Sequence, residues 1–113
     1  MSTDRFYVWG VNRIGEVWGT DLNEFSIHLQ VEIADRQGGE GGEAVTVYVV
    51  SPAHLAKCLD SSGEPVESGH GCLYMVDYDE AAIVAYLQKL ISGLRASSWS
   101  ELDQLLGRYF PWV

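Results

Sequence analysis

The sequence predicts an α+β fold: a mostly antiparallel four-stranded sheet, a short helix after the third strand, and two C-terminal helices packed on one face. Three observations carry this. Phe25, Ile27, Leu29, Val31 and Ile33 alternate with Ser26, His28, Gln30 and Glu32, the period of a strand with one buried and one polar face. A glycine-rich loop follows, and the β-branched run Val45 to Val50 returns beside that strand as an antiparallel hairpin. In the last third of the chain, apolar residues recur at helical spacing, first Ile83, Leu87, Leu90, Ile91 and Leu94, then Trp99, Leu102, Leu105, Leu106 and Tyr109. Strands followed by helices segregate into two layers, which leaves the second face of the sheet partly open.

The elements follow in order. Phe6, Tyr7, Val8, Trp9 and Val11, within Arg5 to Val11, favour a pleated, half-buried first strand. From Asn12 to Asn23, glycine, polar and isolated apolar residues fit equally a ragged continuation of that strand or an irregular connection. Trp9 and Trp18 read as core or edge cover, because a large aromatic contributes buried area wherever it packs. The loop from Asp35 to Glu43 holds four glycines between Gly38 and Gly42. A phosphate cradle needs a helix start after its glycines, whereas here glycines join two strands amid carboxylates, so the loop is a hairpin connection. Its glycines supply positive φ or flexibility.

Ser51-Pro52 then marks a helix start, with Ser51 as cap and Pro52 in the first turn, and a short helix is expected over Ala53 to Leu59. Asp60 to Gly71 reads as a loop. Cys72 to Tyr78 carries apolar residues on both alternating sets, the pattern of a strand inside the sheet and covered on both sides. Asp79 is placed to cap the next helix, and Gly93 to end it. Ser98-Trp99-Ser100-Glu101 has the form of a capping box, and Gly107 and Pro111 close the last helix.

The 113 residues fit one domain, 1–113, with enough chain to bury a core. Hydrophobic residues at 47% and charged ones at 20% are globular proportions, against disorder. No apolar run approaches the roughly 20 residues of a membrane span. The opening Met1-Ser2-Thr3-Asp4 has no basic, then hydrophobic leader, so a cytoplasmic location is expected. A formal charge of −9 repels nucleic acid and anionic membrane and points to a basic partner, although acidic surface also serves plain solubility. Cys58 and Cys72 are too few and too far apart for a disulfide framework or a zinc ribbon, and read as reduced packing residues.

Catalytic chemistry has little support. His28, His54 and His70 fall on a strand, a short helix and a loop without ligand spacing. Asp77, Asp79 and Glu80 crowd together as an acid and base pair would, but a helix start attracts carboxylates for its own reasons. No nucleophile elbow, nucleotide fingerprint or Cys-His arrangement is present, so no catalytic, cofactor or metal residues are expected.

Several of these residues resemble the immunity protein 8 family, small bacterial proteins that neutralise a cognate polymorphic toxin. The resemblance runs from about Phe25 to Trp112. It rests on the alternating strand Phe25 to Ile33, the Gly-Glu-Gly loop, the strand ending in Ser51-Pro52 with Leu55 behind it, the Tyr78-Asp79 helix start, and Trp99 with Leu106 in the last helix. His54 stands where the family pattern Thr-Pro-x-Trp-Leu has tryptophan, and Phe110-Pro111-Trp112 replaces a longer tryptophan and acidic tail. The resemblance implies no catalytic residue and no cofactor. It implies a cognate toxin as partner, held by stoichiometric inhibition through an acidic surface, for which Glu40, Glu43, Asp77 and Glu80 are the candidate partner-binding residues. The alternatives are a small enzyme using the carboxylate cluster and a structural subunit that pairs through a sheet edge.

Overall fold

A computed structural model describes residues 5–38, 42–63, 66 and 69–113. The element order is β1 (Phe6–Trp18), β2 (Phe25–Asp35), β3 (Glu43–Val50), α1 (Pro52–Ser62), β4 (Cys72–Tyr74), α2 (Glu80–Leu94) and α3 (Trp99–Leu106). The four strands form one sheet in the order β1-β2-β3-β4, antiparallel except for the parallel pairing of β3 with β4. This is the α+β architecture expected from the sequence.

One face of the sheet carries the core. Phe25, Ile27, Leu29, Val31 and Ile33 of β2 and Val45, Val47 and Val49 of β3 are buried with Ile83, Leu87 and Ile91 of α2 and Leu102 and Leu106 of α3. Each of these large side chains removes apolar area worth about 1.5–3 kcal/mol from water, which is why the two helices lie on this face. Ser51 joins the layers at one end: its buried hydroxyl oxygen accepts from the N–H of Phe25 at 3.0 Å and from that of His54 at 3.1 Å, so one side chain caps α1 and pins the start of β2.

β1 runs through Trp18, resolving the two readings of its second half. Its register against β2 slips twice, between Val8 and Gly10 and between Arg13 and Gly15. Each slip inserts a residue and resets the alternation, so Val8, Val11 and Arg13 share the helix side although their spacing is irregular. The outer edge of β1 is occupied at its start by Gln88 of α2, which accepts from the N–H of Val8 at 2.8 Å and donates to the carbonyl of Phe6. Strand addition there is blocked, and the bulges distort the edge beyond it.

Several expectations are corrected. The Cys72 strand is a three-residue edge strand, not an internal one: it ends at Tyr74, which is exposed, and the chain leaves the sheet to reach the helix start. α1 continues to Ser62, beyond Leu59, until Gly63 stops it. α2 passes through Gly93 and ends at Arg95, which takes the left-handed conformation with φ 52°. Only half of the capping box forms: the N–H of Glu101 donates to Ser98 Oγ, while the Glu101 carboxylate accepts from the hydroxyl of Ser97. Tyr109 is exposed, and Phe110 fills the core in its place. In the glycine loop, Gly38 has φ 102°, and Gly42 passes so close to the Ile33 carbonyl that no side chain fits; Gly39, Glu40 and Gly41 lie outside the described residues.

The C-terminal segment completes the sheet. The N–H of Thr46 donates to the carbonyl of Pro111 at 2.8 Å, Trp112 bridges Val45, and the N–H of Val113 donates to the carbonyl of Ala44 at 2.9 Å. β4 and this segment thus share the outer edge of β3.

Candidate functional site

The side chains that alternate with the core set form the second face of the sheet. Ser26, His28, Gln30, Glu32 and Ala34 of β2 lie beside Val50, Tyr48, Thr46 and Ala44 of β3, in register. α1 covers one end, where His54, Leu55 and Cys58 close a small hollow with Ser26, Tyr48 and Cys72. In the middle, the ring of His28 stacks on that of Tyr48 with centroids 4.5 Å apart. The opposite end, beside the β2–β3 hairpin, holds a cleft of about 740 Å³.

That cleft is built from the strands upward. Ala34, Gly42 and Ala44 make a floor of small residues, and Glu32 stands among them, with the carboxylate close over Gly10, the residue opposite it on β1. Tyr7 and Trp9 line the β1 side, Gln30 continues the face toward the middle, and Glu43 lies at the rim. Trp9 is 68% exposed, so it is neither core nor edge cover as its type suggested. Trp18, by contrast, packs as expected against Phe25 and Tyr78. Phe6 and Val8 face the core, so plain alternation turns Tyr7 and Trp9 to the open face, and the bulge that follows returns Val11 to the core.

The carboxylates nominated from the sequence do not converge. Glu43 sits at the hairpin end of the sheet, opposite Ile33, whereas Asp77 and Glu80 are exposed at the other end, beside the start of α2. The eight residues of β3 separate the two places by roughly 23 Å. Glu40 lies outside the described residues. Asp79 caps α2 by accepting from the N–H of Ala82 at 3.2 Å, and Glu80 accepts from the hydroxyl of Tyr78 at 3.4 Å, so the acidic crowd serves the helix start. Among the described residues no group of three or more His, Cys, Asp or Glu is placed to hold a metal ion.

Several charges elsewhere are tied down. Arg5 forks onto Asp35 with contacts of 3.0 to 3.2 Å and also donates to the carbonyl of Ser97, linking β1 and β2 to the segment before α3. The Arg5 hydrogen bonds, with help from the N–H of Gln37, hold the Asp35 carboxyl below its ordinary range, and the same pair raises Arg5. Arg13 bonds Glu16 at 2.7 Å and lies over the ring of Tyr78, and Arg36 lies over the ring of Tyr7, 4.4 Å from its centre. Cys58 and Cys72 are half-buried and in no disulfide, and Cys58 Sγ lies 3.3 Å from His54 Nε2.

Tyr7, Gln30 and Glu32 were passed over in the sequence. For Gln30 and Glu32 the signal was present, since they belong to the polar set of β2, whose apolar set already faces both helices. Two helices and one sheet make two layers, and the polar set is the face that remains. The arrangement offers a concave surface with aromatic and carboxylate walls.

Comparison with known proteins agrees with the resemblance drawn from the residues and extends it. The model of the family described as Immunity protein 8 matches residues 6–113, which takes in β1 and the cleft as well as the segment from Phe25 onward. No curated protein and no solved structure matches the chain.

Proposed function

The chain belongs to the immunity protein 8 family, and from that premise we propose that it binds a cognate bacterial toxin and neutralises it by stoichiometric inhibition. The family match across the described fold carries this reading. The open sheet face supports it, because a two-layer protein of this size has one large surface that its own helices do not need. The toxin is basic in this reading, and Glu40, Glu43, Asp77 and Glu80 contribute to a negative field that speeds encounter from several sides. The complex forms in the cytoplasm of the toxin-producing cell.

The test is a titration. The toxin domain encoded beside this gene is assayed with increasing amounts of the purified chain. Activity should fall linearly and vanish at one equivalent. Full toxin activity at a large excess of the chain contradicts the proposal.

Reversing Glu43, Asp77 or Glu80 to lysine should slow association and flatten its dependence on salt, since exposed charges act over about 10 Å at 0.1 M salt. The rate of dissociation should change little. Parent-like rates and salt slopes in every reversal would leave the acidic surface a solubility feature.

A further inference from the structure

We propose that the cleft at the hairpin end of the open face is a receptor for an arginine side chain of the partner protein, an inference that rests on the toxin-binding reading above. The cleft pairs the two chemistries that a guanidinium uses together. Its plane stacks on an aromatic face, and its N–H fork meets a carboxylate. Trp9 and Tyr7 supply rings, and Glu32 supplies a carboxylate, around a floor of alanine and glycine that leaves room for a side chain to enter.

The local cations do not satisfy this site. Arg5 is committed to Asp35, and Arg36 lies over Tyr7, 4.4 Å from the ring centre. Arg36 shows the geometry at work on one ring and leaves the neighbouring Trp9 open. Among the described residues, Trp9 has no ring or cation partner, and Glu32 has no ion pair. Glu32 is half-buried, so a partner that covers the face must supply a positive group or leave a desolvated carboxylate unpaired. That requirement excludes a purely apolar or an anionic occupant. Arginine fits better than lysine because only its flat, forked head can stack and pair at once.

The first arm of the test uses the whole chain, isotope-labelled, and a defined probe, the blocked tripeptide Gly-Arg-Gly, with blocked Gly-Gln-Gly as its neutral counterpart. The indole N–H of Trp9 and the amides of Gln30 to Ala34 should shift saturably with the arginine peptide and not with the glutamine peptide. The indoles of Trp18 and Trp99 should stay in place. Trp9→Ala and Glu32→Gln should each weaken the peptide by about tenfold, with melting temperatures at the parent's value, and Asp103→Asn, on the exposed side of α3, should bind as the parent does. Equal shifts with both peptides, shifts spread over the whole acidic surface, or parent-like affinity in both cleft variants overturn the proposal. Movement of the Trp9 indole with protein concentration alone would show a second copy of the chain filling the cleft, and overturns it too.

The second arm uses the toxin domain. If the parent neutralises it, Trp9→Ala and Glu32→Gln should dissociate from it about tenfold faster, with association little changed. Parent-like dissociation would sink the cleft while the immunity reading survives. If the parent does not bind the toxin but the arginine peptide saturates the cleft, the immunity reading falls and the receptor chemistry stands.

Discussion

The two faces of one sheet use the same strands for opposite purposes. On β2, Leu29 is fully buried under the helices, while Gln30, the next residue, lies on the open face beside the cleft. The helix face is closed by α2 and α3, Arg5 pairs with Asp35 there, and aromatic rings pack in its core: Phe6 lies 4.8 Å from Trp99, and Trp18 lies 5.3 Å from Phe25, centre to centre. The open face keeps an exposed tryptophan and, in Glu32, a carboxylate with no ion pair among the described residues. The difference teaches where to look for function in a fold whose described residues hold no metal-binding cluster. Stability is concentrated on one side, so the other side is free to diverge with a partner.

The sharpest way to break this comparison is to truncate neighbouring residues on the two faces. Leu29→Ala should cost about 2–5 kcal/mol in denaturant unfolding, the range for a buried leucine that leaves a cavity. Gln30→Ala should stay within about 0.5 kcal/mol of the parent, as surface changes do. Equal losses would mean that the open face is also structural.

Ser51 joins the two sides, because α1 covers one end of the open face and begins at this cap. Ser51→Ala removes a helix cap and strands the N–H of Phe25 in a buried position. A loss of about 2 kcal/mol is expected from the two effects together. A change below about 0.5 kcal/mol would show that another group takes over both bonds.

The Arg5–Asp35 pair gives the helix side a dependence on pH. Asp35 is held below the ordinary carboxyl value of about 3.9 by the guanidinium of Arg5. A depressed folded pKa adds stability that is complete above the unfolded value and is lost as pH falls through the folded one. The melting temperature of the parent should therefore drop as pH falls below about 4, and Asp35→Asn should flatten part of that acid limb while lowering stability at neutral pH. Identical acid limbs in the two proteins would remove the pair from the account.

The smallest effect is expected at the thiols. Neither Cys58 nor Cys72 is in a disulfide, so reductant should leave the melting temperature unchanged. A loss of several kcal/mol would reveal a disulfide.

Much of this was legible in the sequence, for physical reasons that differ by element. β2 could be read because strict alternation is what one buried face demands, and α2 and α3 because their stripes and caps agree. The second half of β1 could not be read, since the two bulges reset a period of two before it can repeat. β4 misled because Cys72 to Tyr78 is apolar on both sets, and composition does not mark where a strand leaves the sheet for a helix cap. Arg95 took the terminal turn that glycine usually occupies, which local preference disfavours. At the site, acidity was readable as a total but not as a position. Glu43 borders the cleft with its side chain in the set of Ile33 and Val45, and Asp77 and Glu80 lie far from it, because sequence proximity to a loop or helix start does not fix which face a side chain joins. Trp9 was weighed as core or edge cover because its residue type does not say which alternating set of β1 faces the helices.

The most direct test compares both faces in one experiment, hydroxyl-radical footprinting of the chain alone and bound to the toxin domain encoded beside it. Trp9 is 68% exposed on the open face, and Tyr86 is 54% exposed on α2, so each face carries an aromatic reporter that is accessible in the free protein. The account predicts strong protection of Trp9 in the complex, with Tyr86 oxidised at its free rate. Protection of Tyr86 with Trp9 still fully reactive would contradict it, and would move the interface to the helices.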